Sequence, residues 1–232
     1  MSDRYIAQRR GLIERLRGQG IHDLEILHAF DRIPRHEFLP AAVAHRAYED
    51  APVPIGFGQT ASQPSLQALY MQVLRLGSND RVLEIGTGSG FQTAVLAQLV
   101  DRVYSIERVR PLAIRAREAL DRLRISNVAT LVGDGTIGWS RYAPYDAILV
   151  AAAAPEVPEP IAAQLAVGGR MLVPVGSLQS QRLQLVTRTP TGYTHEEVVD
   201  CTFVPLLGRF GWAGAPENQP ESGIPPRYRG ER

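Results

Sequence analysis

One ten-residue stretch constrains the fold of this chain more than any other. Val82-Leu83-Glu84-Ile85-Gly86-Thr87-Gly88-Ser89-Gly90-Phe91 runs from a short apolar segment through a glycine-rich turn into a helical pattern. Its glycines let the backbone bend sharply and let a ligand approach with no Cβ in the way. Around this turn the texture alternates. Val82 to Ile85, Val103 to Ile106, Val128 to Val132, Ala147 to Val150 and Met171 to Val173 read as buried strands. Phe91-Val95-Leu99 and Leu112-Ala116-Leu120-Leu123 read as helices, the second opening at Pro111. Strand alternating with helix predicts an α/β fold with a doubly wound, mostly parallel sheet.

The glycine spacing also restricts the ligand. A dinucleotide fingerprint is Gly-x-Gly-x-x-Gly, which seats a pyrophosphate on the helix N-terminus. Here the third glycine falls one place early and Phe91 takes its position. The loop therefore suits an uncharged or zwitterionic ligand tail, and a dinucleotide dehydrogenase is disfavoured.

The 232 residues fit one domain with additions. Residues 1–50 read as an Arg-rich helical extension broken at Pro34 and Pro40, and the Gly- and Pro-dense segment 51–64 as a loop. Leu66, Leu69, Tyr70, Val73 and Leu74 form one stripe of a helix opening at Pro64. After the core at 80–175, Arg182 to Thr187 and Glu196 to Val204 read as an antiparallel pair at the sheet edge, turning at Pro190-Thr191-Gly192. The single domain is expected to end near 212, with 213–232, rich in Pro and Gly, a disordered tail.

Composition removes whole reaction classes. A formal net charge of +1 is no footprint for nucleic acid. All 25 basic residues are Arg, so a pyridoxal Schiff base and a P-loop lysine are both excluded. Cys201 stands alone, and His22, His28, His36, His45 and His195 never fall one helical turn apart, so no metal site is expected. The longest apolar run, Ala147 to Ala154, is eight residues against the roughly 20 of a membrane span. The charged start lacks a signal-peptide core, which places the chain in the cytoplasm by expectation. With no repeated apolar surface signal, a monomer is expected.

Two acids extend the ligand argument. Glu107 ends the second core strand, 21 residues beyond Gly86, where a carboxylate accepts hydrogen bonds from ribose hydroxyls. Gly133-Asp134-Gly135 follows the third, where an acid can meet an adenine amino group. Each alone reads equally as a helix cap or solvated loop acid. In this order they resemble the S-adenosylmethionine-binding core of Rossmann-like class I methyltransferases, over about residues 80–175.

The resemblance narrows outside that core. Ile55-Gly56-Phe57-Gly58-Gln59-Thr60-Ala61-Ser62-Gln63-Pro64 resembles the active-site loop of protein-L-isoaspartate O-methyltransferases. So do Pro34-Arg35-His36-Glu37-Phe38, Ala47-Tyr48-Glu49-Asp50, Pro144-Tyr145-Asp146-Ala147-Ile148, Ala152-Ala153-Ala154-Pro155 and Phe203-Val204-Pro205-Leu206. The likeness covers roughly residues 10–212. It implies methyl transfer from S-adenosylmethionine to the free α-carboxyl of L-isoaspartyl residues in damaged proteins and peptides. S-adenosylhomocysteine is the product, and the ester then collapses to a succinimide. By the same resemblance Ser62 matches the active-site serine. Thr60, Glu84, Gly86, Thr87, Gly88, Glu107, Asp134 and Gly135 fall at cofactor positions, and Ile55, Val204 and Leu206 at substrate positions.

Simpler roles stand beside these. Ser62 can serve as a helix N-cap, with the helix amides forming an anion cradle. Glu84 can be a structural carboxylate within its strand, and Val204 and Leu206 edge-strand packing. Trp139 and Trp212 read as packing residues, and the seven Arg between 102 and 124 as a solvated helix face. Two departures from the family's pattern are evident: Ala61 where the family usually has Ile, and Phe91 where bacterial members often have Tyr. The competing readings are a related carboxyl or small-molecule methyltransferase, and a non-catalytic S-adenosylmethionine-binding module.

Overall fold

In a computed structural model describing residues 5–213, the glycine turn joins a strand to a helix at the middle of a seven-stranded sheet. Helices α1 (Ile6–Gly18) and α2 (Leu24–Arg32) lead in, followed by short 3-10 turns at Arg35–Phe38 and Ala44–Arg46. Asp23 caps α2, its carboxylate accepting from the Glu25 and Ile26 amides. A hairpin, β1 (Val53–Gly56) and β2 (Gln59–Ala61), precedes α3 (Pro64–Leu74). Then come β3 (Arg81–Ile85), α4 (Phe91–Leu99), β4 (Arg102–Glu107), α5 (Arg110–Arg122) and β5 (Val128–Val132). The chain continues through β6 (Tyr145–Val150), the short α6 (Glu159–Ala162), β7 (Leu165–Gly176), β8 (Gln181–Thr189) and β9 (Gly192–Cys201).

The sheet order is β5-β4-β3-β6-β7-β8-β9. The pairs from β5 through β7 are parallel, while β8 pairs antiparallel with both of its neighbours. The sheet is therefore doubly wound and mostly parallel with an antiparallel C-terminal edge, as the alternation of strand and helix predicts. Central strands are apolar on both faces because both are covered: Val82, Leu83, Ile148 and Leu149 have no exposed surface. One face carries the N-terminal extension, α3, α4 and α5. The other packs Tyr104, Tyr145, Trp139 and Ile161.

The structure departs from sequence expectation in three places. Segment 51–64 is not all loop, since it holds the β1–β2 hairpin, closed by Phe57 and Gly58 at φ 55° and 68°. Positive φ at both central residues is the twist that suits a two-residue hairpin. The last edge strand spans 192–201, earlier than the expected 196–204, and the chain then leaves the ladder. Gln181 Oε1 accepts from the Phe203 amide at 2.8 Å, and Leu206 bonds Ala153 at 2.7 Å, so 203–207 crosses the end of β6 as a strap. Finally, the arginines of α5 are not uniformly solvated. Arg115 donates to the Ile55 carbonyl at 2.8 Å and lies over the Phe57 ring at 5.5 Å, tying the hairpin to the core. The expected tail lies, from residue 214 on, outside the described residues.

Candidate active site

Where β3 and β6 lie side by side, the chain leaves one towards β4 and the other towards β7, so their carboxyl ends open a crevice. A cavity of about 900 Å³, its open mouth included, fills it. The floor is Ile85 to Ser89, Ile106 to Val109 and Ala151-Ala152; Gln59 to Ser62 with Gln67 form one wall, and Val204 to Leu207 another.

The glycine loop is turned inward. Gly86, Gly88 and Gly90 all have positive φ (94°, 56° and 87°). Gly86 and Thr87 donate to the Ile106 carbonyl, Gly88 to Glu107 Oε2 at 2.8 Å and Gly90 to the Thr87 carbonyl. Amides spent this way are withheld from a pyrophosphate, in agreement with the glycine spacing. Phe91 is fully buried against Phe30 and Phe38, centroids 5.6 and 6.0 Å away. The residue that displaces the dinucleotide glycine is thus where the N-terminal extension docks.

The three acids take different positions. Glu107 lines the cavity, accepting from the Gly88 and Val109 amides at 2.8 Å each. Two of a carboxylate's roughly four acceptor sites are then used, leaving capacity for hydroxyl donors. Glu84 does not line the cavity. It is fully buried beneath the loop, accepting from Gln92 Nε2 (3.0 Å), Thr93 Oγ1 (2.5 Å) and Ser105 Oγ (2.6 Å). Burial pushes its carboxyl up to about 7, against the pull of those three donors. Asp134 is also set back, although neighbouring Gly135 lines the cavity. Its carboxylate accepts from the Thr136 amide and hydroxyl and from the Arg209 amide at 2.8 Å, anchoring the strap's far end. Desolvation pushes the Asp134 carboxyl up, but those bonds, with Arg108 nearby, together outweigh it and hold the group below the usual carboxylate range. Gly135 allows the close approach of loop to sheet, for a Cβ there would lie 2.5 Å from Ile85 Cγ2.

Thr60, Ser62, Gly86, Thr87, Gly88, Glu107, Gly135, Val204 and Leu206 all line the one cavity. Ile55 does not; it is buried behind Gly88, with its Cδ1 3.5 Å from where a Cβ on that glycine would lie. Ser62 is not the N-cap of α3, a position held by Gln63. The helix end keeps little of an anion cradle, the Leu66 amide apart. Pro64 has no N–H, the Ser65 amide is taken by Asp50 Oδ1 at 2.9 Å and the Gln67 amide by the Gln63 carbonyl. Sequence reasoning missed Gln67, Gln92, Arg108 and Val109 on the cavity wall. Gln67 is the most telling: it is buried one turn into α3, and its Oε1 has no hydrogen-bond partner. It shares the buried face of α3 with Tyr70, Met71 and Leu74, three, four and seven residues on, and a lone Gln at that spacing was the available signal.

A family model for protein-L-isoaspartate(D-aspartate) O-methyltransferase matches residues 7–211. A protein-L-isoaspartate O-methyltransferase from Trichlorobacter lovleyi is 52% identical over 208 residues, 89% of this chain and 96% of its own. One from Geobacter metallireducens is 49% identical over the same share of each. Among solved structures, a protein-L-isoaspartate O-methyltransferase superposes with TM-score 0.81 at 34% identity, over 88% of this chain and 67% of that one. A candidate enzyme of the same name from Plasmodium falciparum, in complex with S-adenosyl-L-homocysteine, superposes with TM-score 0.76 at 26% identity, over 86% and 98%.

Proposed function

We propose, from the premise that this chain belongs to the protein-L-isoaspartate O-methyltransferase family, how its own residues serve that reaction. The enzyme methylates the free α-carboxyl of L-isoaspartyl residues, and S-adenosylmethionine supplies, when bound, an electrophilic methyl on a sulfonium. The residues present fit that group. Glu107 keeps acceptor capacity for hydroxyls, Gln67 Oε1 is a buried acceptor without a partner, and the inward-turned loop makes no demand for a phosphate.

One observation carries the assignment of roles: Thr60 and Ser62 open onto the same cavity as the glycine loop and Glu107. The reacting oxygen belongs to a carboxylate of ordinary pKa near 4, already ionised at neutral pH, so no base is required. The titratable groups among the cavity-lining residues, Glu107 and Arg108, agree with that economy. What remains is to hold two reactants in line and exclude water, a proximity effect. In this reading the Ser62 hydroxyl donates to the substrate carboxylate, Thr60 borders the cofactor, and Val204 and Leu206 present backbone to an extended peptide. Asp134 and Ile55 act behind the wall and Glu84 beneath the loop.

The test is methyl incorporation into paired peptides differing only in an isoaspartyl or an aspartyl linkage. Labelling confined to the isoaspartyl member is expected. Equal labelling of both would point to a broader carboxyl methyltransferase, and cofactor binding with no labelling to a non-catalytic module.

A further inference from the structure

Two of the motifs that carry the family likeness, 34–38 and 47–50, lie outside the cavity, yet both converge on the segment bearing Ser62. Arg35 has no exposed surface. Its Nη2 donates to the Ser62 carbonyl at 2.8 Å and its Nη1 to the Ala47 carbonyl at 2.7 Å. Its guanidinium lies over the Phe91 ring at 5.5 Å, at the first residue of α4. One side chain thus touches the extension, the serine segment and the helix that follows the glycine loop. From the other side, Asp50 accepts from the Ser65 amide through Oδ1 (2.9 Å) and from Gln19 Nε2 through Oδ2 (3.0 Å). Residues 62–65 are bracketed between a buried cation on the first carbonyl and a carboxylate on the last amide.

A buried charge is costly to keep, and apolar side chains of similar volume stabilise such places as well or better. Here desolvation brings the guanidinium down to about 10, opposed by the fields of Asp50, Tyr48 and Glu49, and Nε has no partner. Stability alone is a poor reason for this arrangement. Two planar donors at fixed spacing set the relative position of two carbonyls, which an alkyl chain cannot do.

We infer that Arg35 is a positioning residue for methyl transfer: it fixes the backbone of Ser62, with Asp50 holding the next turn, so that the hydroxyl meets the substrate carboxylate in line with the donor. The inference rests on the role given to Ser62 above.

The test is a double-mutant cycle of Arg35→Lys and Ser62→Ala in the full chain, scored on kcat, peptide KM and the Kd for S-adenosylhomocysteine. Arg35→Met runs beside the lysine variant, so that a folded protein without the two paired donors is available. Arg117→Met is the control, cutting the bonds from Arg117 to the Val128 and Ile125 carbonyls on the far side of α5, away from residue 62 and from both motifs. Ser62→Ala should lower kcat strongly. Arg35→Lys should lower it about 50-fold, the scale of an ångström-sized misplacement, with Kd unchanged. In the Ser62→Ala background the same change should cost less than about threefold, because its effect is already lost. Arg117→Met should lower the melting temperature and leave kcat alone. Wild-type turnover in Ser62→Ala would sink the serine's role itself. With that role intact, an Arg35 loss equal in both backgrounds, no loss, or one matched by weaker S-adenosylhomocysteine binding would overturn the positioning role.

Discussion

Glu84 illustrates how a side chain's environment, more than its type, decides its part. Fully buried with three donors around it, it braces β3, β4 and α4 where they meet beneath the glycine loop. Its carboxyl is raised from 4.5 in the unfolded chain to about 7 in the fold, so the folded state binds more protons between those values. Stability from this group is present at acid pH and lost as pH rises through about 7. Denaturant titrations at pH 5 and pH 8 should therefore show the protein weaker at pH 8 by about 2–3 kcal/mol from this site. Glu84→Gln should remove most of that slope. A pH dependence unchanged in the variant would mean that another group titrates.

At the scale of elements, the hairpin is what puts Thr60 and Ser62 over the cavity, and it is a poor structure alone. Two strands of four and three residues do not hold themselves together in water, and Phe57 in the left-handed region adds strain. Its outer end depends on Arg115, through the Ile55 carbonyl and the Phe57 ring. Such a cation–ring contact at the surface contributes about 0.5–1 kcal/mol, and the bond to the Ile55 carbonyl about as much again. Arg115→Met should thus speed hydrogen exchange of the 53–61 amides by about tenfold, as about 1.4 kcal/mol of local opening implies, with global unfolding nearly unchanged. Exchange that rises evenly over the whole sheet would show that the arginine supports the fold and not the hairpin. The sequence disguised this element, because Pro, Gly and a non-glycine left-handed residue in a short segment read as irregular chain. The strap was disguised likewise: 203–206 is as apolar as an edge strand, and only its bonds to Gln181 and Ala153 take it across β6.

For the whole molecule, the cavity opens at the point where the winding direction reverses, so its lining comes from the carboxyl ends of β3, β4 and β6, from the hairpin wall and from the strap together. Ligation should stabilise the fold as a unit. S-adenosylhomocysteine at 100 times its Kd should add about 2.7 kcal/mol, raising the melting temperature by about 5–10 °C in one cooperative step. A shift confined to a minor transition would show that the cavity belongs to a separately melting part. The central strands, α3, α4, α5, the glycine turn and the carboxyl-end placing of Glu107 were legible in the sequence, because apolar period, glycine and proline act locally and are written residue by residue. The surroundings of Asp134, Ile55 and Arg35 were not, and Glu84 stood open between a cofactor acid and a structural carboxylate. Whether a carboxylate faces a cavity, a helix end or a buried hydroxyl depends on which segments fold onto it from 20 to 75 positions away, and only the packed structure decides that.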